Sequence, residues 1–60
     1  MSMKTLIAAI LAEAKEVTKN ENLKMKDIME WSTGDLVPHP GEKLYHLPKM
    51  EMNIAVKVKS

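Results

Sequence analysis

Met50, Met52, Ile54, Val56 and Val58 alternate with Lys49, Glu51, Asn53, Ala55, Lys57 and Lys59, the period of a strand with one apolar face and one wet face. Such a strand cannot stand alone, because its backbone groups need partners and an isolated pair of strands is marginal in water. Elsewhere the chain offers only Asp35–Val37 and Leu44–Leu47 as extended segments, both short and flanked by proline. The pattern therefore predicts a C-terminal strand or hairpin completed by another chain. In this reading two copies pair or exchange Met50–Val58 and pack their N-terminal helices across the resulting sheet. A two-fold dimer is the expected closure, since a self-complementary patch needs no further surface. The competing arrangement is a monomeric hairpin of Leu44–Leu47 with Met50–Val58 beneath the helix.

Size sharpens the requirement. For 60 residues, burial returns roughly 90 kcal/mol at ~25 cal/mol/Å², and ordering the chain at ~1.5 kcal/mol per residue costs about the same. A chain this near break-even is usually helped by disulfides, a structural metal or oligomerisation. It has no cysteine, which removes disulfides, thiolate zinc sites and cysteine nucleophiles together. Oligomerisation is the remedy the composition leaves.

The rest of the chain reads as α+β in a single small domain. Leu6, Ile7, Ile10, Leu11, Ala14 and Val17 keep the spacing of one helical face, predicting an amphipathic helix over 3–19. Glu13, Lys15, Glu16 and Lys19 fall largely opposite that stripe. Ser2 or Thr5 is placed to cap the start, and Asn20 and Asn22 to end it. Residues 21–31 admit two readings. Met25, Ile28, Met29 and Trp31 suit a short helix over 23–31, whereas Leu23–Lys26 alternates like a brief strand; the helix is the reading taken. A Pro/Gly connector over 32–42 follows, with Pro38 and Pro40 forcing extended geometry on Val37 and His39 and with a turn signal at Pro40-Gly41. A β region covers 43–59.

Charge narrows the function classes. Nine basic residues, every one a lysine, face eight acidic residues for a net charge of +1. Without arginine there is no bidentate fork for phosphates or guanine edges, and acids interleave along the chain, so nucleic-acid binding is not expected. No stretch approaches the ~20 apolar residues of a transmembrane span. Lys4 and the eight residues Thr5–Ala12 have the look of a minimal signal peptide. Such an apolar run sits at the bottom of the ~7–15 residue range, so no processed leader is expected. The first helix lacks the lysine-rich polar face and aromatic anchors of a membrane-surface helix. A cytoplasmic location is the expectation.

Few residues suggest chemistry. His39 and His46 flank Pro40-Gly41 and, with Glu42, are the weak ligand candidates, but their spacing matches no zinc signature, and neither a metal nor a cofactor is expected. Asp35, Glu42 and Glu51 are carboxylates without an evident water-excluding pocket, and Ser32 and Thr33 lack a nucleophile-elbow context. No enzymatic activity is expected. Trp31 and Tyr45, the only aromatics, are assigned with Leu6, Ile7, Ile10, Leu11 and Val17 to a core or interface. Met50, Met52, Ile54, Val56 and Val58 are assigned to the strand interface. Met25, Met29, Met50 and Met52 suit either a core without phenylalanine or an adaptable contact surface.

The expected function is a non-catalytic assembly or adaptor protein that pairs with itself and with another protein. One alternative is a small dimeric regulator presenting Lys49, Lys57 and Lys59 to nucleic acid on a two-stranded ribbon. Another is an oligomer binding a small ligand at a subunit interface lined by Trp31, Tyr45 and His46. The alternation also predicts that Ile54→Lys destroys folding or assembly, while Asn53→Lys on the wet face is tolerated.

Overall fold

A computed structural model describes residues 2–58. One helix, α1 (Met3–Thr18), leads through a single 3-10 turn (Met25–Asp27) into three strands, β1 (Ile28–Ser32), β2 (Glu42–Leu47) and β3 (Met52–Lys57). The architecture is α+β.

The helix starts where its cap begins. Ser2 is extended, and its hydroxyl accepts the Thr5 amide at 3.3 Å, satisfying one of the donors a helix start leaves free. It ends at Lys19, which takes the left-handed conformation at φ 58°. Asn20 then folds the chain back, its side-chain oxygen accepting the Asn22 amide at 3.0 Å. Of the predicted apolar stripe, Ile10 and Ala14 are buried and Leu6, Leu11 and Val17 pack around them, while Ile7 is half-buried.

Residues 23–31 depart from the predicted short helix. Leu23 is buried, Met25–Asp27 make one 3-10 turn, and the chain extends from Ile28 onward. The helical spacing of Met25 and Ile28 is used up in that one turn, whose start is held by the Asp27 carboxylate accepting the Lys24 amide at 3.0 Å. Beyond it, pairing with β3 outweighs a weak local preference, since strand propensity is mostly context.

The three strands form one sheet in the order β1-β3-β2, antiparallel at both junctions. The long alternating strand is thus the middle one. Its partners come from within the chain: Ile28–Ser32, which the sequence reading had made helical, on one side, and Glu42–Leu47 on the other. This corrects the expectation that Met50–Val58 presents a free edge to a second copy. The alternation itself holds: Met52, Ile54 and Val56 are buried in the core with Leu47 and Ile28, while Lys57 is exposed. Met50 lies in the turn before β3, half-buried against the core, and Val58 lies past its end and is half exposed.

Because β1 and β2 both flank β3 and run parallel to each other, residues 33–41 must return along the length of the sheet. They do so over the face opposite the core. Asn53, on that face, donates from its side chain to the Gly34 carbonyl at 2.8 Å. At the other end, the His39 amide donates to the Glu42 carboxylate at 3.0 Å. The crossing explains Ala55, assigned to the wet face but 0% exposed.

α1 packs chiefly against β2 and is pinned to the hairpin by an acid. Glu13 is buried, and its two carboxylate oxygens accept the backbone amides of Lys49 at 2.7 Å and Met50 at 3.0 Å. Sequence reasoning had put Glu13 on the solvent face with Glu16. Glu16 does lie there, making an exposed ion pair with Lys49 at 3.5 Å.

Candidate functional site

The first candidate surface follows from strand order. With β3 central, β1 and β2 are the edges, and among the described residues no strand pairs with the outer side of β1. The β1 segment Ile28-Met29-Glu30-Trp31-Ser32 contains no lysine and no proline. β2 carries exposed Lys43 and ends against Pro48, the kind of feature that blunts an edge. A bulge between Ile28 and Glu30 bends the first part of β1, leaving Glu30, Trp31 and Ser32 as its regular stretch.

Trp31 pairs with Ile54, whose other neighbour is Tyr45, so both aromatics lie on the core-facing side of the sheet, one on each edge strand. Their fates differ because α1 covers β2. Tyr45 is half-buried against the core, with the Lys43 ammonium 5.3 Å from its ring centre, whereas Trp31 stays 41% exposed. Met29, in the bulge, is 49% exposed. Trp31, assigned to a core or interface, is not part of the core of the single chain. The indole reaches the sheet's apolar face but not its covered part.

The second candidate lies beneath the crossover. His39-Pro40-Gly41-Glu42 forms a tight turn, closed by the Glu42 amide donating to the His39 carbonyl at 3.0 Å, with Gly41 at φ 84°. Proline second and a positive-φ glycine third are what a type II turn requires. The turn sets His39 beside Glu42 on the sheet face opposite the core. Glu30 reaches the same place from β1, the two carboxylates lying 3.8 Å (Glu30) and 3.4 Å (Glu42) from His39 Nδ1. Of the sequence grouping of His39, His46 and Glu42, the fold brings His39 and Glu42 together, and Glu30 lies beside them. No spacing rule reveals Glu30, because its position depends on β1 being a strand.

His46 does not join the group. It sits at the opposite end of β2, where Nδ1 and Asn53 Oδ1 are 3.0 Å apart. Nor do Trp31, Tyr45 and His46 converge within a chain, since Tyr45 and His46 are consecutive on a strand and point to opposite faces. A cleft of about 310 Å³ lies near the end of α1, lined in part by Thr18, Leu23, Tyr45 and Val56. Lys49 lies in the turn before β3 and Lys57 at the far end of β3, and Lys59 falls outside the described residues. The lysine ribbon of the nucleic-acid reading is therefore not assembled by the described part of one chain. Asp35 and Glu51 are exposed and stand apart from the His39 cluster.

No helix among the described residues is long and apolar enough to cross a membrane. No family model matches the chain, and no curated protein or solved structure is significantly similar to it.

Proposed function

We propose that the protein is a non-catalytic assembly module acting through protein–protein contacts, and that its primary contact joins two copies edge to edge through β1. The observation that carries this reading is the outer side of β1, which no strand among the described residues pairs with, and Trp31 exposed beside it. Natural sheets blunt such edges with lysine, proline, charge, shortness or a covering element; β1 has no lysine or proline, and its charge, Glu30, and its bulge both lie before Trp31. Pairing centred on Trp31 avoids that bulge. In this register Trp31 opposes Trp31 of the second copy and Glu30 opposes Ser32, so like charges do not meet, and each indole shelters the other. Cross-strand aromatic pairs of this kind stabilise antiparallel contacts, and a strand meeting itself about a two-fold axis is self-complementary by construction. The titratable groups near the sheet already have structural work: Glu13 holds a turn, Glu42 holds the crossover, and His46 meets Asn53. A cytoplasmic setting forms part of the same proposal.

Light-scattering mass on a sizing column tests it, with the single tryptophan as a second readout. A mass of twice 6.8 kDa, unchanged by salt, is expected, together with a Trp31 emission that shifts to longer wavelength on dilution. Trp31→Lys should give a folded monomer. A wild-type monomer of 6.8 kDa at high concentration would remove the second copy as occupant and leave the edge to a strand of a different protein.

A further inference from the structure

Glu30, His39 and Glu42 come from three separate pieces of the fold: β1, the crossover and the start of β2. Their ligand atoms nevertheless all lie within 4.8 Å of one another. Two carboxylates held this close repel unless a positive charge sits between them. Bonds of ~2.0–2.2 Å to a tetrahedral ion put neighbouring ligand atoms about 3.3–3.6 Å apart. His39 Nδ1 and Glu42 Oε1, 3.4 Å apart, meet that spacing, while Glu30 Oε1, 3.8 Å from His39 Nδ1, has to move a few tenths of an ångström inward.

We propose that Glu30, His39 and Glu42 form a divalent-metal site of the zinc type, which ties the crossover to both edge strands. Two carboxylate oxygens and one imidazole nitrogen are a borderline donor set. They are too few and too mixed for calcium, which takes ~6–8 oxygens, and magnesium prefers an octahedron of oxygen and water. Three protein ligands leave a fourth position for water or for a group from a partner.

Two features hold the ligands ready. Pro38 and Pro40 restrict the backbone on both sides of His39. The Glu42 side chain is only 13% exposed, and its Oε1 also accepts the His39 amide at 3.0 Å. An outer hydrogen bond of this kind orients a ligating carboxylate. The site would supply the structural metal that a small cysteine-free domain is otherwise denied, and it stands or falls independently of pairing through β1.

Calorimetric titration of the full chain with Zn²⁺ tests the site, with thermal melting followed by circular dichroism in parallel. One zinc per chain and a raised melting temperature are expected, with no comparable response to Mg²⁺ or Ca²⁺. His39→Gln and Glu30→Gln should each weaken binding by at least about tenfold, since even outer-shell losses cost ~10–100-fold. His46→Gln should bind as the wild type does. The His39 ring signals, observed by NMR in the unmodified chain, should shift on zinc addition while those of His46 stay put, which keeps the test decisive should a variant fail to fold. Absence of one-to-one binding, wild-type affinity in His39→Gln, or a response centred on His46 would each overturn the assignment.

Discussion

Glu13 and Lys49 are 36 positions apart, yet the Glu13 carboxylate accepts the Lys49 backbone amide at 2.7 Å. Its other oxygen takes the next amide, that of Met50. The turn between β2 and β3 thereby has its donors satisfied by the helix, which fixes where α1 sits along the hairpin. Hydrogen bonds to a charged acceptor are worth ~1.5–3 kcal/mol each. Glu13→Ala should cost about 3 kcal/mol in urea unfolding, and Glu13→Gln, which keeps one acceptor oxygen, about half of that. Glu16→Ala removes only an exposed ion pair with Lys49 and should change stability by less than ~0.5 kcal/mol.

Ile54 is fully buried at the middle of the central strand, so Ile54→Lys should leave a chain without a cooperative melt. Asn53→Lys is no longer expected to be neutral. Asn53 holds both the Gly34 carbonyl at 2.8 Å and the His46 ring at 3.0 Å, and its loss frees the crossover at one end. A cost of about 1–2 kcal/mol is expected, smaller than that of Ile54→Lys but measurable by denaturant midpoint.

Among the described residues, two that are not glycine take left-handed backbone, Lys19 at φ 58° and Glu51 at φ 52°. Both are exposed. Lys19→Gly and Glu51→Gly should each stabilise the fold by roughly 0.5–1 kcal/mol, read as a higher melting temperature.

Gly41 presents the opposite case. A methyl group there would meet nothing within 4 Å, but the backbone is at φ 84°. Gly41→Ala should therefore destabilise by about 1–2 kcal/mol through backbone conformation alone. If the metal site forms, the same change should also weaken zinc binding, because the turn carries both His39 and Glu42.

The helix, the connector and the two-faced character of the last strand were all readable in the sequence, because each rests on local periodicity or on proline and glycine. Residues 28–32 were not. Their composition fits either element, and what decides them is the need of β3 for a second neighbour, a demand from residues about two dozen positions away. The misplacement of Glu13 has a similar root: its charge suggested solvent although it follows Ile10 by three positions and precedes Val17 by four, beside the apolar stripe, and only the return of the hairpin turn gives its carboxylate two donors. Ala55 looked wet because period two says nothing about a segment crossing above the sheet. Of the candidate metal site, His39 and Glu42 were visible through the Pro40-Gly41 turn, while Glu30 came into view only once β1 existed.

The strand that both others need is the last of the three to be synthesised. Until β3 is in place, β1 and β2 lack the neighbour that each requires, and they are not adjacent to each other in the finished sheet. The helix can form early, but the sheet must await Met52–Lys57 and then assemble through contacts as distant in sequence as Trp31 with Ile54. Such non-local pairing slows folding and leaves apolar strands exposed meanwhile. Folding of this chain should therefore be a late event, completed around its final strand and not accumulated piece by piece from the N-terminus.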